Sequence, residues 1–207
     1  DSRGRWYACI TVKDLPKKAC GTGKVGIDLG LSSAAVASND DALETKQTRQ
    51  WAKPLAIAQR ARNKKRVKAI HAKIKNSRLH AIHQFTTKLV KDNALIVVGD
   101  VASNQFNSKK STLAKSVYDA AWFEIKRQLT YKCEYAGCRF EVVSERYTTQ
   151  TCSCCGSRDS SPKGRAGLRI REWTCAQCGT RHNRDINASR NILAVGLGRL
   201  EAGIPSL

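Results

Sequence analysis

Short apolar runs alternate along this chain with long, cation-rich polar stretches. RWYACITVK (5–13) has the two-residue period of a strand, and KACGTGK follows it as a turn. KVGIDLG (24–30) reads as another strand, SSAAVASN (32–39) as its hairpin partner, and Asp40–Asp41 as a turn. From about Gln47 to Asp92 helix formers dominate and no proline follows Pro54, which predicts a long hairpin of two helices broken at Asn76-Ser77. LIVVGD (95–100) carries four apolar residues, three of them β-branched, into a glycine and a lone carboxylate, as a buried central strand does where it meets a polar cleft. After a polar loop, SNQFNSKKS, apolar residues at 113, 117, 121, 125 and 129 predict an amphipathic helix over 113–132. CRFEVVSE (138–145) is the next strand, cysteine-rich sequence fills 152–178, and HNRDINASRNILAVGLG (182–198) forms a last helix ending at glycines. Hairpin strands first, then strands separated by helices, predict an α/β domain with a mixed sheet.

Charge narrows the partners. Across 207 residues, 37 Lys and Arg oppose 17 Asp and Glu, a formal charge of +20. Such an excess suits a polyanion, above all nucleic acid, and predicts affinity that falls steeply with salt. No apolar run has the length of a membrane span and none reads as a signal peptide, so no membrane partner is expected. The chain starts without methionine and contains none, and an absent N-terminal part is expected. A reducing cytoplasm fits the odd count of nine cysteines better than disulfides do.

TCSCCG and TCAQCG give Cys152-x2-Cys155 and Cys175-x2-Cys178, nineteen residues apart. Two tight turns with two thiolates each supply the soft ligands of a closed, structural, tetrahedral Zn²⁺ site. Cys154 is an alternative to Cys155, disfavoured by the x2 spacing and by the glycine after each second cysteine, Gly156 and Gly179. Cys133 and Cys138 read as half-buried thiols without a second pair, and Cys9 and Cys20 as structural. The four histidines form no metal-binding pair.

The scarce acids fall at suggestive places. Asp28 lies in GIDLG, Asp100 ends LIVVGD, Glu145 follows FEVVS, and Asp185 sits on the first turn of the last helix. Each alone reads as a cap, a turn former or a helix-dipole partner. Together, in a chain of this charge, they suit Mg²⁺, a hard cation that takes oxygen ligands, and the two-metal hydrolysis of phosphodiesters.

GIDLG, LIVVGDV, YTTQTCSCCG, TCAQCG and NRDINASRNIL, in that order over nearly the whole chain, resemble the transposon-associated TnpB proteins, relatives of the type V CRISPR effectors. The resemblance implies an RNase H-like (RuvC) mixed β-sheet with flanking helices and an inserted zinc ribbon. It divides the chain into a nuclease core over 1–147, including a basic helical hairpin at about 50–92, a ribbon over 148–181, and the end of the core over 182–207. The family's N-terminal wedge and recognition domains have no counterpart here. The implied activity is RNA-guided DNA cleavage with divalent metal. The implied partners are a guide RNA, target DNA and the protein's own missing N-terminal domains, in a prokaryotic cytoplasm at the nucleoid.

Asp28 matches the family's first catalytic acid and Asp185 its last. The middle strand, which the family ends in Glu-Asp-Leu, here ends in Gly99-Asp100-Val101, so Asp100 matches the neighbour of the catalytic acid. Adjacent strand residues face opposite sides, and Asp100 reaches the cleft only by a bend at Gly99. Glu145, where many relatives carry a non-acidic residue, is the expected replacement; Glu141 lies roughly 13 Å further from the strand end. On the helical hairpin, Arg62, Lys64, Lys65 and Arg66 around an apolar stripe of Ala61, Val67, Ile70 and Ile74 are expected to contact phosphates. Lys109, Lys110, Arg165, Arg169 and Arg171 are the expected strand-binding residues near the cleft and ribbon. Trp51 and Trp122 read as core, and Trp173 is the one tryptophan set aside as a base-stacking candidate. Three functions compete: a Mg²⁺-dependent RNA-guided DNA endonuclease of a mobile element, a non-cleaving RNA-guided DNA binder, and a zinc-ribbon nucleic-acid module without a guide.

Overall fold

The computed structural model describes residues 4–11, 18–44, 47–101, 121–167 and 169–198. Strands β1 (Gly23–Asp28), β2 (Ser33–Ala37) and β3 (Ala42–Glu44) form an antiparallel meander, with Asp40 in the left-handed conformation at the second turn. Helices α1 (Gln47–Arg60) and α2 (Lys64–Asp92) carry the chain to β4 (Asn93–Gly99), which pairs parallel to β1. Helix α3 (Trp122–Ala136) leads to β5 (Arg139–Val143), parallel to β4. The sheet order is β3-β2-β1-β4-β5, the mixed sheet that the patterning predicts. Two short strands, β6 (Glu172–Thr174) and β7 (Arg181–Asn183), make a separate ribbon that runs into α4 (Arg184–Gly196).

Side-chain parity assigns the two faces. Val25, Ile27, Ile96 and Val98 pack with Ile82, Phe85 and Leu89 of α2 and Ile125 and Leu129 of α3. Leu95 and Val97 point the other way, onto Ile192 and Leu193 of α4. Two glycines let α4 lie close to that face. A Cβ at Gly26 would stand 2.6 Å from Leu193 N, and one at Gly196 would stand 2.5 Å from Val97 Cγ2. Helix backbone and strand backbone thus touch directly, which holds the first turn of α4 over the end of β1.

Three expectations are corrected. Residues 5–11 are in no strand, and Trp6 is 97% exposed; alternation defines the faces of a strand but supplies no neighbour to pair with. The helical break falls at 61–63, not at Asn76-Ser77. Arg62 is left-handed (φ 49°), and the Asn63 side chain accepts from Arg66 N at 2.9 Å to cap α2. At 76–77 the same polar residue types sit exposed in mid-helix, where weak propensities of a few tenths of a kcal/mol yield to the turns on either side. Ala61 therefore sits exposed in the turn, and Ala58 takes its place in the cluster with Ile70, Ile74, Trp51, Leu55 and Val67. The last helix begins at Arg184, because 182–183 belong to β7. Helix α3 runs to Ala136 and stops at left-handed Gly137; the predicted start at 113 lies outside the described residues. Among the described residues no helix is long and apolar enough to cross a membrane.

Candidate functional site: a cysteine knuckle pair and a cleft of acids

The two cysteine turns are built alike. Cys152 N–H donates to Ser157 O and Gly156 N–H back to Cys152 O; Cys175 N–H donates to Thr180 O and Gly179 N–H to Cys175 O. Gly156 (φ 77°) and Gly179 (φ 71°) are both left-handed, which explains a glycine after each second cysteine. The Sγ atoms of Cys152 and Cys178 are 3.7 Å apart, as are those of Cys155 and Cys175, and all four lie within 4.8 Å of one another. Sulfurs bound tetrahedrally at about 2.3 Å from a zinc ion stand about 3.8 Å apart, so the donors and their spacing fit that ion. Cys154 is exposed and outside the group.

One histidine matters here although no spacing marks it. His182 Nε2 lies 3.0 Å from Cys152 Sγ, and its ring packs at 4.7 Å on Trp173, its partner in the β6–β7 register. It touches the sulfur of Cys152 and is not one of the four clustered donors. Trp173 is buried in this cluster and offers no stacking face. Trp122 is core, with its indole N–H donating to Gly30 O at 3.1 Å, and Trp51 is half-buried under Lys73.

The acids come from distant segments. Asp28 ends β1 on the α4 side, the parity of Gly26, and is 8% exposed. Burial pushes its carboxyl well above the usual carboxylate range; the charges of Asp185 and Glu145 push it further, and Arg184 and Arg171 oppose them. Asp185 lies on the first turn of α4, whose cap Asn183 accepts from Asp185 N and Ile186 N at 3.1 and 3.3 Å. Glu145 follows β5, and burial also raises its carboxyl, with Lys126 opposing and Asp100 adding to the shift. Asp185 and Glu145 thus both lie near enough to Asp28 for their charges to act on it. Among the described residues these acids do not form a donor group as compact as that of the four cysteines. No described residue donates a hydrogen bond to the carboxylate of Asp28 or Glu145.

Gly99 accounts for the position of Glu145. Leu95, Val97 and Gly99 share the α4 face by parity, the face of Asp28. A Cβ at Gly99 would meet Ile192 Cδ1 at 2.9 Å, Glu145 Oε2 at 3.2 Å and Glu145 Cβ at 3.3 Å. The Glu145 side chain fills the space that a side chain at position 99 would take. Asp100 points the other way: its side chain is 61% exposed and pairs with Lys126 Nζ of α3 at 2.8 Å. Glu141 pairs with Arg139 on the edge strand.

The turn that carries Glu145 is held by two asparagines one helical turn apart on α4. Asn187 Nδ2 donates to Thr151 O at 2.8 Å, and Asn191 Nδ2 to Thr148 O and Thr151 O at 2.8 and 2.6 Å. Asn187 Oδ1 accepts from Ser153 N at 2.9 Å. Both asparagines are buried, so one helix braces the acid turn and the first knuckle together. Their i, i+4 spacing in NASRN is the signal that could have found them. Arg171 leaves the ribbon to bond both oxygens of Asp185, at 3.0 and 3.1 Å, and Ser32 Oγ. Of the other expected contact residues, Arg62, Lys64, Lys65, Arg66 and Arg169 are exposed. Lys109 and Lys110 lie outside the described residues, as does the side chain of Arg165.

Residues 122–192 match the family described as "Cas12f1-like, TNB domain", and residues 7–109 the family described as "Probable transposase" (OrfB_IS605). Two bacterial relatives named as RNA-guided DNA endonucleases align with 98% of this chain. One, from Streptomyces pristinaespiralis, is 34% identical, with 53% of its length covered; the other, from Escherichia coli K12, is 30% identical, with 56% covered. The CRISPR-associated endodeoxyribonuclease Cas12f1 of Sulfoacidibacillus thermotolerans is 28% identical over 67% of this chain and 32% of its own. The chain thus spans about half the length of the first two of these relatives. A Cas12f1–sgRNA–target DNA complex superposes with TM-score 0.59 (19% identity, 86% of this chain, 50% of that one), and a CRISPR-Cas12f ternary complex with 0.62 (18%, 86%, 40%). The chain thus carries matches to the Cas12f1-like TNB and OrfB_IS605 families on a mixed sheet whose fold is that of the Cas12f complexes, and it is similar over nearly its whole length to proteins named as RNA-guided DNA endonucleases.

Proposed function

We propose that this chain is the catalytic part of an RNA-guided DNA endonuclease of a mobile element, with Asp28, Glu145 and Asp185 as its acids. The observation that carries the reading is the placement of Glu145 over Gly99, the β4 residue that follows the Ile27–Val98 pairing and so lies beside buried Asp28. A buried carboxylate such as Asp28 is costly in its charged form unless a cation or a proton meets it. Hard oxygen donors suit Mg²⁺, and the residues that would hold it are Asp28, Glu145 and Asp185. When bound, the ion supplies Lewis-acid stabilisation of a phosphoryl oxygen and a nucleophilic water near neutral pH. Asp28 and Glu145 must lose their protons to serve as ligands, so metal affinity rises with pH through a range above that of ordinary carboxylates. Arg171 stands on Asp185 and must move or share it. The four cysteines hold a structural Zn²⁺, closed to substrate. The guide would read sequence by pairing, while the cationic protein surface reads backbone and shape.

The test is cleavage of guide-matched DNA by the protein purified with its own bound RNA, in Mg²⁺. Glu145→Gln should abolish cutting and leave guided DNA binding in place, while Asp100→Asn has the milder effect. Loss of cutting in Asp100→Asn with full activity in Glu145→Gln would overturn the assignment. Guided binding by the unaltered protein without any cutting would make it a binder.

A further inference from the structure

Immediately after Glu145 lies a cluster that neither the acids nor the cysteines account for. Tyr147 is exposed (43%) and left-handed, with φ 66°, a conformation that bulky side chains rarely adopt. It is held there firmly. The Tyr147 carbonyl accepts from Gln150 N at 2.9 Å, Thr151 N at 3.0 Å and Thr151 Oγ1 at 3.0 Å. The next residue, Thr148, donates twice to Glu145 O, from N at 3.1 Å and from Oγ1 at 2.8 Å. The turn that aims Glu145 inward therefore also fixes the Tyr147 ring outward.

Two guanidiniums gather on that ring. Arg146 Cζ lies 4.7 Å and Arg158 Cζ 4.6 Å from its centroid, and Arg146 Nη2 donates to the phenol oxygen at 2.8 Å. Arg158 comes from the cysteine ribbon, so two parts of the chain converge there. Both arginines are exposed, and neither forms an ion pair with a described residue. Like charges brought together on one aromatic ring repel each other, and an anion between their donor forks relieves that repulsion. Guanidinium forks match phosphate oxygens in a way that ammonium groups do not.

We propose that Arg146, Tyr147 and Arg158 form a clamp for the backbone phosphates of the DNA strand that enters the acid cleft. This rests on the nuclease reading above for the identity of the strand, while the clamp itself is measured by binding. Two arginines engage phosphates, and the ring sets their spacing.

The experiment is fluorescence anisotropy of the zinc-loaded protein with labelled single-stranded oligothymidylate in buffer freed of Mg²⁺ but without chelator, where nothing is cut, over a range of salt. Arg146→Gln/Arg158→Gln should flatten the plot of log affinity against log salt by about 0.7 for each phosphate no longer neutralised. Arg146→Lys/Arg158→Lys and Tyr147→Asn keep the charge; asparagine also tolerates the left-handed backbone. Both should bind several-fold more weakly than the unaltered protein at fixed salt. An unchanged slope in the glutamine variant, or unchanged affinity in both charge-conserving variants, would sink the clamp. An effect seen with a matched single-stranded RNA but not with DNA would also overturn it. The nuclease reading can fail on its own, by absence of cutting in Mg²⁺, with these binding results intact.

Discussion

The cysteine knuckles and the cleft acids are both candidate ligand sets, yet they are assembled in opposite ways. Each knuckle is a closed loop of a few residues that satisfies its own backbone, Cys152 to Ser157 and Cys175 to Thr180. The acid cleft has no local unit. Its members come from the end of β1, the turn after β5 and the first turn of α4, and they meet because glycines let those elements touch at Gly26, Gly99 and Gly196. A local site needs a metal to hold its two halves together. A nonlocal site depends on the packing of the whole sheet, and its carboxylates meet at an electrostatic cost.

The largest break in that comparison comes from the metal. Structural zinc supplies about 10–16 kcal/mol to small ribbons, more than the ribbon's own small core of Cys152, Trp173 and Cys175 can replace. Cys175→Ser, or exhaustive chelation, should unfold residues 148–181 and leave the five-stranded sheet. Limited proteolysis and hydrogen exchange would register this as cleavage and fast exchange confined to the ribbon. The link through Asn187, which bonds both Ser153 and the Thr148–Thr151 turn, predicts that exchange also rises near Glu145. A fully protected ribbon without zinc would mean that the knuckles hold themselves.

The two sites also differ in how far the sequence discloses them. Ligand spacing, glycine and turn are all local in TCSCCG and TCAQCG, so reading the residues in order is enough. The strands, too, are legible where period and burial agree, as in LIVVGD. Pairing partners are not, which is why residues 5–11 alternate like a strand without forming one. The hairpin break is misplaced by the sequence because Asn63 and Asn76 look alike until one of them caps. Parity alone sends Asp100 to the face opposite Asp28, and its side chain pairs there with Lys126. The inward path of Glu145 depends on the open space above Gly99 and on two asparagines far along the chain, and these contacts exist only after folding.

A swap at the glycine sharpens the point about packing. Gly99→Glu puts a Cβ within 2.9 Å of Ile192 Cδ1 and 3.2 Å of Glu145 Oε2. Overpacking of this kind costs roughly 1–3 kcal/mol, and a second acid in the same space adds repulsion. Adding Glu145→Ala should recover part of the loss, so that the double variant is more stable than Gly99→Glu alone in a denaturant titration. The interaction energy between the two positions should be roughly 0.5–3 kcal/mol. Additive effects would show that position 99 and Glu145 do not compete for one space.

The smallest effect tests the electrostatic cost itself. Asp28 has its folded-state pKa raised by burial first, then by Asp185 and Glu145. Between the unfolded pKa, about 3.9, and the higher folded one, the native state binds more protons than the unfolded chain. The slope of unfolding free energy with pH is then negative. Stability is lost as pH rises through that window, and the full penalty applies above it. Asp28→Asn removes the charge and nearly keeps the shape, so in buffer freed of Mg²⁺ with zinc still bound it should melt higher than the unaltered protein at neutral pH. Each kcal/mol recovered is worth about 2–4 °C in a domain of this size. The gap should narrow as pH falls toward the ordinary carboxylate range, because the aspartate is then protonated as well. Saturating Mg²⁺ should shrink or reverse it by stabilising only the protein that keeps the ligand. A gap that is flat from acid to neutral pH would mean that Asp28 is not the strained group, and that the cleft tolerates its charges without a cation.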